Sequence, residues 1–102
     1  MKKILLMCLL ATSASAADKT ERAFNGKCSA CHGKDGKAST EKGRKMKIQD
    51  LTDPVWKKKT TDAQIKKSIL EGVDDGDKQM DPYKDELTPE QVDALVLYVR
   101  NL

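Results

Sequence analysis

A five-residue motif, Cys28-Ser29-Ala30-Cys31-His32, constrains the possible folds of this chain more than any other feature of its sequence. Residues three or four positions apart lie on the same face of a helical turn, so one turn would direct both sulfurs and the imidazole to the same side. His32 is the only histidine of the chain, and the third cysteine, Cys8, lies in an apolar N-terminal stretch. The chemistry of the chain is therefore expected to concentrate at this turn.

The C-x-x-C-H pattern is the attachment signature of c-type haem. Its spacing lets both thiols form thioethers with the vinyl groups at one edge of a porphyrin while the histidine reaches the iron. A disulfide between Cys28 and Cys31 would leave His32 without a role. A zinc site needs four ligands, and the mature chain offers only three soft ones, the two cysteines and the histidine of the motif. A thioredoxin-like redox pair is expected beside a βαβ unit, and the sequence shows no strands that could form one. We therefore predict one covalent haem c on Cys28 and Cys31, with His32 as an axial iron ligand.

Residues 1–16 have the three parts of a Sec-type signal peptide. A start with two lysines is followed by an apolar stretch and then by Ala14-Ser15-Ala16, a small-residue cleavage pattern. The stretch is shorter than the roughly 20 apolar residues of a membrane-spanning helix. We predict cleavage after Ala16 or Ala17, which leaves one periplasmic domain over residues 17–102.

Cleavage lowers the formal net charge of +3 by two, because the signal peptide contains two lysines and no acidic residue. A nearly neutral domain lacks the bulk positive charge of nucleic-acid-binding proteins. Two basic runs remain, and each is either solvated surface or a docking face for an acidic redox partner. The first run holds Lys42, Arg44, Lys45 and Lys47, and the second holds Lys57, Lys58 and Lys59.

Three helices are predicted from caps and apolar spacing. The first covers residues 18–31 and contains the haem motif. The second covers residues 62–71, after a capping box and before a glycine. The third begins after Thr88, with Pro89 in its first position. Its apolar face repeats at helical spacing and is expected to be buried: Val92, Leu95, Val96 and Val99.

No strand is predicted, and the segments 33–61 and 73–87 are expected to be loops because they are rich in Gly, Asp, Lys and Pro. Long loops in a small domain need something to pack around. With few aromatic residues available, a large apolar cofactor would supply much of the core. Phe24 and Tyr98 are expected at the crossing of the first and last helices.

Several blocks, in order and spacing, make the chain resemble the class I c-type cytochromes, in particular the short bacterial monohaem members. The blocks are residues 24–33 around the motif, 50–56 ending in Trp56, 80–83 beginning with Met80, 87–91 and 94–100. The resemblance covers nearly the whole mature chain. It implies an all-α cytochrome c fold, in which the N- and C-terminal helices cross around one covalently attached haem, with long loops. Larger relatives often have a proline shortly after the haem histidine, which is absent here.

The resemblance also implies the second axial ligand. Similar cytochromes place a ligand methionine in a loop shortly before the last helix, which is the position of Met80. Met46 lies where they often have an apolar residue near the haem. Trp56 matches a tryptophan near a haem propionate, and simple packing is the alternative role for it. A second histidine ligand is excluded within one chain, because His32 is the only one.

Together these features imply a soluble periplasmic one-electron carrier, with iron cycling between Fe(II) and Fe(III) under His/Met ligation, and not an enzyme. Two filled axial positions leave no open site for a substrate, and the thioether raises the potential. The expected partners are a redox protein donor and acceptor, and an acidic docking surface on one of them follows if the basic runs are a docking face and not solvated surface. We expect no nucleic acid, no membrane span and a monomer. A small haem peroxidase or gas sensor is the alternative if Met80 is labile, and a metal or disulfide structural module is a third.

Overall fold

The computed structural model describes residues 15–102. The predicted signal peptide falls mainly on residues 1–14, outside that range, and its cleavage stays a prediction. The elements in chain order are α1 (Ala16–Lys27), α2 (Ser29–His32), α3 (Glu41–Met46), α4 (Pro54–Lys59), α5 (Asp62–Glu71), β1 (Val73–Asp75), β2 (Lys78–Met80) and α6 (Pro89–Arg100). Helix dominates, as predicted for an all-α cytochrome c fold.

The helices α5 and α6 begin at the capping boxes that were read from the sequence. Gln64 N–H donates to Thr61 Oγ1 (3.2 Å), and Thr61 N–H donates to the Gln64 side chain (2.9 Å). Thr88 and Gln91 repeat this reciprocal arrangement at the start of α6. Each box satisfies N–H groups that a helix start otherwise leaves without partners. The bounds of α5 and the start of α6 are therefore confirmed.

The first predicted helix is divided in two. α1 ends at Lys27 and α2 begins at Ser29, with Cys28 between them at φ −114° and ψ −29°. The backbone N–H of Cys28 still donates to the Phe24 carbonyl at 2.9 Å. The haem motif thus occupies a short helical turn of its own, directly after α1.

The prediction that residues 33–61 and 73–87 are loops without strands is wrong in part. The first segment contains α3 and α4, each only 6 residues long, and the second contains the antiparallel β1–β2 hairpin. Elements this short show no helical periodicity, but their start signals are present. Thr40 caps α3, and Asp53 with Pro54 begins α4. Gly76, at φ +59°, forms the hairpin turn.

The core lies where α1 and α5 pack against α6. Phe24 is 1% exposed, and its ring packs against Tyr98 in a tilted arrangement, with a centroid distance of 4.9 Å and an interplanar angle of 42°. Ile65 and Ile69 of α5 are buried in the same cluster. The predicted apolar face of α6 is buried as well: Val92, Leu95, Val96 and Val99. The N- and C-terminal helices of the domain therefore pack together as predicted.

Among residues 15–102, no helix is both long and apolar enough to cross a membrane.

We expect the mature chain without its cofactor to be largely unfolded or molten. The core cluster of the described residues has nine buried side chains, which is few for a domain of this length. Near-ultraviolet circular dichroism and calorimetry of the cofactor-free chain measure this directly. A native-like near-ultraviolet signal together with a cooperative melting transition would contradict the expectation.

Candidate cofactor site

A cavity of about 1020 Å³ lies beside the Cys28–His32 turn. Every helix and strand of the described residues contributes at least one side chain to its lining. Its volume reaches the upper end of the range for small-molecule pockets, roughly 300–1,000 Å³. The lining is mainly apolar, so the cavity suits a large flat cofactor with an apolar body.

The five residues predicted to contact haem all line this cavity. Cys28, Cys31 and His32 lie on the motif turn, Trp56 on α4 and Met80 at the end of β2. The fold therefore brings together residues that are widely separated in the sequence. Met46, at the end of α3, also lines the cavity. Both methionines of the described residues therefore line the cavity, and Met80 as the iron ligand stays a prediction.

The backbone of the motif turn is held by helical hydrogen bonds. The N–H of His32 donates to the Cys28 carbonyl at 2.9 Å, and the N–H of Cys31 donates to the same oxygen at 3.3 Å. Both cysteines are free thiols. This turn gives the spacing expected from the sequence, with two sulfurs and an imidazole on one wall of the cavity.

The segment after the motif supports this wall from behind. Thr40 Oγ1 donates to the Cys31 carbonyl at 2.8 Å, and the N–H of Ala38 donates to the His32 carbonyl at 2.8 Å. A Cβ atom on Gly43 would lie 2.5 Å from the carbonyl oxygens of both Cys31 and Ala38. α3 therefore contacts the motif turn backbone to backbone, which only glycine allows at this position.

Burial shifts the pKa values of two motif side chains, Cys28 and His32. It raises the pKa of the Cys28 thiol to about 11, and the nearby Lys27 ammonium only partly opposes this. Burial also lowers the pKa of His32 below its ordinary value. The imidazole is therefore neutral at neutral pH, which is the form that binds a metal ion.

His32 has one buried ring nitrogen, Nδ1, that lacks a hydrogen-bond partner within the described residues, and its side chain lines the cavity. Metal-bound histidines usually donate their other N–H to a carbonyl, a carboxylate or water. Among residues 15–102, no such acceptor is present for Nδ1 of His32.

The alternatives to haem fit the structure less well. A structural zinc site needs four ligands, and within residues 15–102 no three His, Cys, Asp or Glu side chains form a metal-binding group. A disulfide would leave a large apolar cavity without a function. The donor set of two free thiols and a neutral imidazole on its wall fits a covalently attached haem.

Part of the lining was not identified from the sequence. Gln64, Lys67 and Ser68 of α5 line the cavity together with Ile65 and Ile69. These residues recur at three- and four-residue spacing, so the pattern of one helix face was readable. Nothing in the sequence placed the polar members of this face at a site, because polar residues on a helix usually face solvent.

Known proteins resemble this chain over most of its length. A family model described as cytochrome c oxidase, cbb3-type, subunit III matches residues 15–99. Among solved structures, the KustC0563 c-type cytochrome is 36% identical, with a TM-score of 0.71, and the match covers 80% of this chain and 94% of that one. A point mutant of the same protein gives 38% identity, a TM-score of 0.69 and coverages of 79% and 94%. No curated protein matches the chain.

The chain belongs to this family and is a small c-type cytochrome. Membership implies covalently bound haem c, electron transfer through that haem, and redox partners. The cytochrome c fold of the solved relatives agrees with the crossing of α1 and α6 beside the cavity.

Proposed function

We propose that this cytochrome is a soluble periplasmic carrier of single electrons, with one haem attached through Cys28 and Cys31 and with His32 and Met80 as axial ligands. The observation that supports it best is the convergence of these four side chains on one cavity. Haem supplies an iron atom that exchanges one electron between its ferrous and ferric forms. The periplasmic location rests on the signal-like sequence of residues 1–16 and on the attachment of c-type haem outside the cytoplasm.

The protein groups have separate tasks. The two cysteines hold the cofactor covalently, and the neutral imidazole of His32 offers a lone pair from the motif side. The Met80 thioether is a soft, neutral donor that favours ferrous iron and raises the potential. The mainly apolar cavity acts in the same direction, because it disfavours the additional positive charge of the ferric state. Filled axial positions leave no place for a substrate, so we propose a carrier and not an enzyme.

Packing supports Met80 as the ligand over Met46. Met80 is partly buried against the core cluster, and its strand pairs with β1 so that Met80 lies opposite Val73. Met46 is the last residue of α3 and precedes Lys47, which has a left-handed backbone at φ +53°. A side chain fixed by a hairpin and by the core suits a ligand that must stay in place in both oxidation states.

Trp56 is proposed to lie near a haem propionate. It is partly buried on α4 and packs against the core cluster. Gln49, Lys59 and Thr60 line the cavity close to it in sequence and supply polar groups. An indole N–H that is partly buried needs an acceptor, and a propionate oxygen would provide one.

The cavity lining carries an asymmetric charge that suggests the kind of partner. It includes five lysines and a single acidic residue, Asp81. We call these five the mouth lysines: Lys27, Lys42, Lys59, Lys67 and Lys78. Only Lys42 and Lys59 belong to the basic runs of the sequence. We propose that the mouth lysines steer a redox partner with an acidic surface towards the haem, where the electron passes.

Replacing Met80 by alanine should leave the sixth coordination position of the haem iron without a protein ligand. With the soft ligand lost, we expect a lower potential, ready binding of carbon monoxide to the reduced protein and new peroxidase activity. Met46→Leu is the matched control, because it exchanges one apolar side chain for another of similar volume. The reverse pattern, in which Met46→Leu frees the sixth coordination position and Met80→Ala does not, would assign the ligand to Met46. Avid carbon monoxide binding by the unmodified protein would favour a peroxidase or gas sensor.

Reversing the charge of mouth lysines should slow electron transfer. We expect the triple variant Lys42→Glu, Lys59→Glu and Lys67→Glu to react more slowly with the physiological partner. The rate of the unmodified protein should fall steeply as salt shortens the Debye length below about 10 Å, above 0.1 M. The control is the triple reversal at Lys19, Lys34 and Lys37, which are exposed and do not line the cavity. Equal rates for the two triple variants would reduce the mouth lysines to solvated surface.

A further inference from the structure

Met80 lies in a segment whose backbone is held in place by contacts with other parts of the protein. Gly72 ends α5 and has φ +74°. A Cβ atom on Gly72 would overlap the carbonyl oxygen of Met80 and would lie 2.9 Å from the Pro82 nitrogen. The chain leaves α5, runs through the hairpin and returns so closely to Gly72 that no side chain fits there. The backbone position of Met80 is thus set against the end of α5.

The residues after Met80 are fixed from two directions. Tyr83 N–H donates to the Ile69 carbonyl at 2.9 Å, and Lys84 N–H donates to the Leu70 carbonyl at 3.2 Å. These bonds satisfy carbonyl groups in the last turn of α5, which would otherwise lack partners. The Tyr83 hydroxyl donates to the Lys27 carbonyl at 3.0 Å. The segment is therefore tied to α5 by its backbone and to the end of α1 by its tyrosine.

The hydrogen bond between Tyr83 and Lys27 lies next to the haem motif. Lys27 directly precedes Cys28, so this hydrogen bond joins the methionine segment to the chain that carries the haem motif. A second contact, a salt bridge of 3.5 Å between Lys27 and Glu86, connects the same two segments. Both partners of that salt bridge are largely exposed, so it contributes little. The tyrosine bond is the better-defined link between the two walls of the cavity.

We propose that Gly72 and Tyr83 are positioning residues for Met80, which hold its thioether at the sixth coordination position in both oxidation states. Gly72 does so by allowing the close return of the chain, and Tyr83 by fixing the segment to the motif side. Neither residue is proposed to bind iron. The inference rests on the proposed function, since it assumes that Met80 is the ligand.

The test compares two glycine variants from the same hairpin region. Gly72 and Gly76 both have positive φ, so alanine causes backbone strain at either position. Only at Gly72 would the new methyl group meet Met80, because nothing lies within 4 Å of a Cβ on Gly76. The measurements on the haem-loaded proteins are the sulfur-to-iron absorption band of the ferric form, carbon monoxide affinity of the ferrous form, and melting temperature.

We expect Gly72→Ala to lose most of the sulfur-to-iron band and to gain carbon monoxide affinity by about tenfold or more, since the open state becomes more populated. Gly76→Ala should keep the band even if its melting temperature falls. Tyr83→Phe, which removes only the hydroxyl group, should shift both signals in the direction of Gly72→Ala. Its matched control is Tyr98→Phe, because Tyr98 packs on Phe24 in the α1–α6 crossing.

Met80→Ala in the same series separates this inference from the proposed function. If Met80→Ala leaves the band intact, the ligand assignment itself is wrong. If Met80→Ala loses the band while Gly72→Ala behaves like Gly76→Ala, the positioning role of Gly72 is overturned. If Gly72→Ala does not accumulate as haem-loaded protein, the comparison of Tyr83→Phe with Tyr98→Phe tests the inference instead. If Tyr83→Phe then has the same sulfur-to-iron band and the same carbon monoxide affinity as Tyr98→Phe, the inference is overturned.

Discussion

The rest of the structure depends on the hydrogen bond from His32 N–H to the Cys28 carbonyl, which closes one helical turn at 2.9 Å. This turn places two thiols and an imidazole on a single cavity wall. Behind it, Thr40 and Gly43 hold α3 against the turn. In front of it lies a cavity of about 1020 Å³, which the haem is proposed to fill. We propose that a chain with so small an apolar core uses its cofactor as the centre of the fold.

The remaining walls of the cavity are held by α5 and α6. The Arg100 guanidinium of α6 donates to the Lys57 carbonyl at 2.6 Å and to the Thr60 carbonyl, and it pairs with Asp62. These bonds satisfy carbonyl groups at the end of α4 and fix the helix that carries Trp56. The C-terminal turn of α5 holds the methionine segment in a similar way. The proposed propionate and thioether contacts thus both depend on helix ends.

Sequence patterns were sufficient where the physical cause is local. The motif spacing predicts the turn, and the capping boxes at Thr61 and Thr88 mark the starts of α5 and α6 because a cap satisfies neighbouring N–H groups. The short elements were missed, since helices of 6 residues and strands of 3 residues are too short to show an apolar period. The roles of Gly43 and Gly72 were not predictable either, because each depends on the close approach of a segment distant in sequence. The same holds for the mouth lysines, which only the fold brings to the lining of one cavity.

The most direct test of the covalent haem is the intact mass of the chain, matured in a host that attaches c-type haem and measured under denaturing conditions. If Cys28 and Cys31 both form thioethers, the mass should exceed that of the processed chain by one haem, and this increment should persist after denaturation. A mass equal to that of the chain alone, or to that of a chain with a disulfide, would contradict a cytochrome whose fold is built around a covalently attached haem.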